Sequence, residues 1–323
     1  MKKTFWIIFL MISSLFLLFL FFAFKEYHRF SNHLTPYTYS KPINIVFSGD
    51  DGYITPICTA ITSLSLNTKT PVQVHLLTNG FSDKNQKKIY QLDQKLKNIN
   101  INIIPIPADL FKDFPINKRW NQAIYFRYLI PKVLENELKA LYLDGDILIL
   151  DDLSDFYHID LKKKTIAGVQ DYFKETFLSR PLFKNLSLYI NSGVILMDMT
   201  QWRQKNMTQK LFELTALYQN EISYFDQDVI NLAFKEDILP LSYRYNTLQG
   251  AYTPWNKVIY HYSGKQKPWK TNSIYYYEWD KYFAYMKAIL NDQKWPLQSY
   301  LLYLFKKMIY YPSFIFKSPQ KEA

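Results

Sequence analysis

Two carboxylates one residue apart, Asp144 and Asp146, sit within Leu141-Tyr142-Leu143-Asp144-Gly145-Asp146-Ile147-Leu148-Ile149-Leu150, between two apolar runs. A turn joining those runs can aim both side chains at one point. Held there without a counter-charge they repel, which raises one pKa or calls for a cation. A hard divalent ion accepts oxygen ligands and can bridge to a diphosphate. The competing reading is a polar hairpin turn, since Asp-Gly is a common turn pair. The hydrophobicity of both flanks argues against an exposed hairpin.

Four further segments carry candidate chemistry. In Ser48-Gly49-Asp50-Asp51-Gly52-Tyr53, Asp50 can hold ribose hydroxyls or a base edge and Tyr53 can stack on a base, although a structural turn reads equally well. In Asn191-Ser192-Gly193-Val194, the amide of Asn191 offers donors and an acceptor suited to sugar hydroxyls. Asp226-Gln227-Asp228 is read either as a helix N-cap or as part of a site. In the segment His261 to Trp269, His261 can ligate a metal, Gly264 permits close backbone approach and Lys267 can meet a phosphate; a lone histidine is more often structural. The chain has only 8 glycines, and Gly49, Gly52, Gly145, Gly193 and Gly264 all fall inside these segments. That concentration points to backbone shaped around a ligand.

The elements that must position these residues alternate. Ile43–Phe47, Val72–Leu77, Ile101–Ile104, Ala140–Leu143 and Gly193–Met197 read as strands, and Thr55–Asn67, a Ser82-capped segment with Ile89, Leu92 and Leu96, and Thr200–Asn220 read as helices. This alternation predicts a parallel, doubly wound α/β sheet. Ligands in such sheets bind beyond the carboxyl ends of the strands, where the motifs fall.

Composition bounds the rest. The chain of 323 residues is 48% hydrophobic with a net charge of +11. All but six of its 39 basic residues are lysine, which argues against nucleic acid, where arginine forks dominate, and for a membrane surface or a phosphate-bearing ligand. The single cysteine, Cys58, excludes an intramolecular disulfide. Phe5 to Phe24 is apolar apart from Ser13 and Ser14. At ~1.5 Å per residue it reaches roughly 30 Å, enough for a retained single-pass anchor. Lys2 and Lys3 before it and Lys25 and Arg29 after it leave the orientation balanced. The expected organisation is residues 1–24 as N-terminus and transmembrane anchor, 25–41 as stem, 42–270 as catalytic domain and 271–323 as a basic aromatic tail. That tail, with a helix expected from Trp295 to Tyr311, suits the membrane interface.

In this order, the segments together resemble glycosyltransferase family 8, especially the bacterial lipopolysaccharide and lipooligosaccharide galactosyl- and glucosyltransferases. The resemblance runs from about Ile43 to Trp269. It implies a Rossmann-like fold of the GT-A type and a retaining transferase using a UDP-hexose, Mn²⁺ or another divalent cation, and a saccharide or glycolipid acceptor. By position it assigns Asp144, Asp146 and His261 to the metal. Ser48, Asp50, Gly52 and Tyr53 go to the uridine and ribose, with Gly52 standing where the family often has asparagine, so that one side-chain contact is missing. Gly264 and Lys267 go to the diphosphate, Gly145 and Asp144 to the donor, and Arg127, Asn191, Asp226 and Gln227 to the donor sugar. Because nucleotide sugars are made in the cytosol, the catalytic domain is expected to face the cytoplasm. Two other readings compete: a non-catalytic membrane protein keeping a nucleotide-binding fold, and a phosphatase using Asp144 as nucleophile. The second is disfavoured because Ile147 and Leu148 follow Asp146 where that class has Gly-Thr.

Overall fold

The computed structural model describes residues 41–251, Pro254, 256–270 and 277–291, together with Trp6, Ser13, Ser14, Leu17 and Phe21. Most of the expected anchor and stem, and the expected helix from Trp295 to Tyr311, lie outside the described residues. Among the described residues no helix is long and apolar enough to cross a membrane.

Contacts separate a compact unit, Pro36–Thr271, from a second one that contains the helix Tyr277–Leu290. In the first unit the strands are β1 (Ile43–Ser48), β2 (Val72–Thr78), β3 (Ile99–Pro105), β4 (Lys139–Leu143), β5 (Ile147–Ile149), β6 (Ile166–Gln170), β7 (Ile190–Asp198), β8 (Ile238–Leu241), β9 (Thr247–Leu248) and β10 (Ile259–His261). Seven of them form one sheet in the order β3-β2-β1-β4-β7-β6-β8, and β5-β10-β9 form a small second sheet.

The sheet is mixed rather than all parallel. Strands β1 to β4 run parallel as the alternation predicts, but β7 is antiparallel to both β4 and β6. An apolar run buried on both faces announces a strand without announcing its direction. The two runs around Asp144-Gly145-Asp146 also differ from a hairpin: β4 belongs to the large sheet and β5 to the small one.

Helix α1 (Ile54–Asn67) is buried along almost its whole length. It holds β5 by polar contacts as well as packing, because Ser63 Oγ accepts from Ile149 N at 2.9 Å and Asn67 Nδ2 donates to Ile149 O at 3.0 Å. Helix α2 (Asp83–Lys95) starts after Ser82, whose hydroxyl bonds the Asp51 carboxylate instead of capping the helix. The expected helix from Thr200 to Asn220 is two helices, α3 (Met199–Gln204) and α4 (Met207–Leu217), parted where Asn206 takes a left-handed conformation (φ 53). Helix α5 (Phe225–Phe234) is buried throughout and packs on the sheet through Val229, Ile230 and Ala233, in one core with Ile195, Met197 and Trp202. In the second unit, α6 (Tyr277–Leu290) carries Glu278 and Asp280 in its first turn and Lys287 in its last, matching the helix dipole.

Candidate active site

Strand ladders explain how distant residues meet. Asp144 extends β4, its N–H bonding Gly193 O at 2.8 Å, while Asp146 extends β5, its carbonyl accepting from Tyr262 N at 2.9 Å. The turn at Gly145-Asp146 links the two strand ends and brings both carboxylates to one side. Antiparallel pairing of β10 with β5 sets His261 opposite Ile147. As a result, one ligand atom from each of Asp144, Asp146 and His261 lies within 4.8 Å of the others. His261 Nε2 stands 3.2 Å from Asp146 Oδ1 and 3.7 Å from Asp144 Oδ2. Two carboxylate oxygens and an imidazole nitrogen are a donor set that suits a divalent cation, and the half-exposed Asp144 leaves an open side.

Charge around this trio is tightly managed. Lys267 Nζ donates to Asp146 Oδ2 and to Tyr262 O, each at 2.5 Å. Burial disfavours the Asp146 carboxylate, but the Lys267 ammonium beside it prevails and holds its pKa below the usual range. Ser48 Oγ and Tyr142 OH are 3.0 Å apart, and Tyr142 OH donates to Asp144 Oδ1 at 2.8 Å. With that proton committed, Ser48 is the donor of its pair. Its hydroxyl therefore supports the carboxylate pair through Tyr142.

Arg127 is the hub between the two halves of the site. It lies on the helical turn Gln122–Leu129, buried and stacked 4.2 Å from the Tyr142 ring. Its Nη2 donates to Asp144 Oδ1 at 2.9 Å, and its Nη1 donates to Ser192 O at 2.7 Å and lies 3.2 Å from Asp226 Oδ2. Asp226 does not cap a helix: its carboxylate accepts from Ser192 Oγ at 3.1 Å. Burial, with Asp144 adding repulsion and Arg127 opposing, pushes its pKa up to about 6. Gln227 Oε1 accepts from Asn191 Nδ2 at 3.1 Å and Ser192 N at 3.2 Å.

The glycine positions are steric. A Cβ on Gly193 would overlap His261 Cε1 and come within 2.6 Å of Asp144 Oδ2, and one on Gly145 would meet Ile57 at 2.7 Å and Tyr53 at 3.2 Å. Gly264 sits against Gln249, whose Oε1 would be 2.7 Å from such a Cβ, whereas the exposed Gly52 has only Asp50 close by. Tyr53 meets Trp269 edge to face at 5.7 Å, which brings the first and last motifs together. Asp50 accepts from Asn121 Nδ2. Asp51 instead turns away to Ser82 and Asn85.

Sequence reasoning missed Tyr142, Asn121, Asp171 and Asn246. Tyr142 had a local signal, lying two residues before Asp144 on the same face. Asp171, whose pKa is raised by burial, bonds Asn191 Nδ2 at 3.2 Å, and Asn246 bonds His261 Nδ1 at 3.0 Å. Neither stands in a recognisable local pattern.

A Rossmann-like mixed sheet with an Asp-x-Asp pair and a histidine gathered at its ligand edge is the arrangement of a GT-A-type glycosyltransferase. The family description Glycosyl transferase family 8 matches residues 44–273, and the chain belongs to that family. General stress protein A of Bacillus subtilis is 26% identical over 267 residues, covering 76% of this chain and 93% of that protein. The lipopolysaccharide 1,2-glucosyltransferase of Escherichia coli is 28% identical over 275 residues, 79% of this chain and 80% of that one. Among solved structures, the galactosyltransferase LgtC in complex with donor and acceptor sugar analogues matches with a TM-score of 0.67 at 23% identity, over 78% of this chain and 96% of that chain. That last likeness speaks to the fold.

Proposed function

We propose that this glycosyltransferase is a retaining hexosyltransferase that moves galactose or glucose from a UDP-sugar to a saccharide or glycolipid acceptor, with Mn²⁺ or another divalent cation. The observation that carries the reading is the meeting of Asp144, Asp146 and His261 at one point. These three would hold the cation, which when bound supplies charge neutralisation for a departing diphosphate. Lys267, within reach of the same point, would add a positive charge for the phosphates. Asp50 and Tyr53 would take the ribose and base.

Arg127, Asn191, Asp226 and Gln227, joined through Ser192 and one another, would face the donor sugar. A group-transfer centre of this kind develops oxocarbenium character. Gln227 is a weak nucleophile whose carbonyl is already engaged by Asn191 and Ser192. Asp226 is held by Arg127 and Ser192. Both observations favour attack of the acceptor hydroxyl on the face from which the UDP leaves, the leaving phosphate taking the acceptor proton. Asp226 is the nucleophile if a covalent path operates instead. The relative named as a lipopolysaccharide 1,2-glucosyltransferase favours a hexose donor and a surface-glycan acceptor.

The apolar residues 5–24 would tether the chain to a membrane with the catalytic unit facing the cytoplasm, and the basic tail 271–323 would rest on anionic lipid. An anchor-free protein that sediments equally with liposomes whether or not residues 293–323 are present would refute the tail's part.

The decisive test of activity is UDP release from UDP-glucose, UDP-galactose and their N-acetyl forms with Mn²⁺, in wild type and Asp144→Asn. One donor should turn over in the wild type, with the variant slower by orders of magnitude. Equal rates would overturn the assigned role of Asp144, and no release from any donor would overturn the donor class.

A further inference from the structure

We propose that Asn246 is a positioning residue that determines which imidazole nitrogen of His261 faces the carboxylate pair, through an amide relay running Gly193–Asn191–Asn246–His261. The inference rests on the metal-site reading above and extends it to Asn246, which lies outside the residues assigned there to cation or donor.

The relay begins at a donor whose identity is fixed. The Gly193 backbone N–H bonds one side-chain atom of Asn191 at 3.1 Å, so that atom is the carbonyl Oδ1. The other end of the Asn191 amide faces Asp171 Oδ2 at 3.2 Å and Gln227 Oε1 at 3.1 Å, as a donor must. Asn246 meets the same Asn191 Oδ1 at 2.9 Å, and only its NH₂ can do so productively. Its remaining oxygen therefore points at His261 Nδ1, 3.0 Å away. An amide oxygen accepts only, so Nδ1 carries the hydrogen.

In the neutral ring, Nε2 is then bare. It faces Asp146 Oδ1 at 3.2 Å and Asp144 Oδ2 at 3.7 Å. A lone pair aimed at two carboxylates is unfavourable unless a cation lies between them, and a bare imidazole nitrogen is also the form that ligates a metal. Both asparagines are buried, Asn246 completely, so water does not compete for these bonds. Asn246 follows the turn Tyr243–Tyr245 and precedes β9, whose parallel pairing with β10 sets Leu248 beside His261. The small sheet thus delivers the histidine and the amide that orients it.

Two measurements on the full chain test this. Nitrogen-15 spectra of the ion-free protein at pH 9, with His261 assigned from His261→Gln, should show Nδ1 protonated and Nε2 bare. Binding of Mn²⁺ alone, followed by electron paramagnetic resonance, should weaken about 10- to 100-fold in Asn246→Leu. The same variant should gain an Nε2–H signal. Asn246→Asp keeps an acceptor toward Nδ1 and should retain the wild-type ring pattern. A wild-type ring protonated on Nε2, or an Asn246→Leu protein with unchanged ring signals and unchanged Mn²⁺ affinity, overturns the proposal. The ring spectra need no metal, so a wild type that binds no Mn²⁺ would defeat the metal-site reading while the tautomer is still decided.

Discussion

Gly193 lies against His261 so closely that a single methyl group there would overlap the imidazole edge and press on Asp144 Oδ2 at 2.6 Å. Both neighbours are proposed ligands of one cation, and neither can retreat. His261 is buried and bonded to Asn246, while Asp144 is held by Arg127 and Tyr142. Gly193→Ala should therefore lower donor turnover by at least about 100-fold, the scale on which an ångström of misplacement acts. Steady-state UDP release measures it, and a variant within a few fold of wild type would show that the site yields more readily than its packing implies.

Removing the cation should be as harmful as removing a ligand. A chelator is expected to stop UDP release and added Mn²⁺ to restore it. Saturation at 100 times the dissociation constant should stabilise the wild type by about 2.7 kcal/mol. Asp146→Asn should lose that stabilisation. Melting curves that ignore Mn²⁺ in the wild type would contradict the assignment.

Asp228 serves the fold of the same motif. Completely buried, it accepts from Arg180 Nη1 at 2.9 Å and Nη2 at 2.5 Å, from Tyr189 OH, and from the backbone N–H groups of Ser223 and Tyr224 at 2.8 and 2.9 Å. These bonds pin the turn where Phe225 takes a left-handed conformation (φ 41), immediately before Asp226 and Gln227. Asp228→Ala strands Arg180 and two backbone donors and should cost about 3–5 kcal/mol in denaturant unfolding. A loss below about 1 kcal/mol would mean the turn holds itself.

The raised pKa of Asp226 makes part of the stability depend on pH. Its folded value is about 6 against an ordinary 3.8. Folding therefore favours the protonated carboxyl, a contribution fully present below about pH 4 and lost as pH climbs through 6. At about 1.36 kcal/mol per pKa unit the loss is about 3 kcal/mol. Asp226→Asn lacks this ionisation, so wild-type stability should decline relative to the variant between pH 4 and 7 in ion-free urea titrations. A difference that stays flat would exclude the burial effect.

Much of the site could be read from residue order, because Asp144-Gly145-Asp146 sits at the end of an apolar run and the glycines mark tight packing. The reversed β7 could not, since an apolar segment buried on both faces reads alike in either direction. Ser82 illustrates a different limit: a residue at a helix start looks like a cap until a distant partner for its hydroxyl, the Asp51 carboxylate, is folded against it. Asn246 and Asp171 stayed hidden because their roles exist only through partners far away in the chain.

The division of Asp144 and Asp146 between two sheets has a mechanical consequence. An ion gripped by both would act as a rivet across a seam whose smaller plate, β5, β9 and β10, is stitched by very few backbone bonds. Sliding of that plate would open the jaws, so the loaded protein should resist shear there. Amide hydrogens of Tyr262 and Gln249, which tie the plate together, are the natural gauges of how firmly the rivet is set.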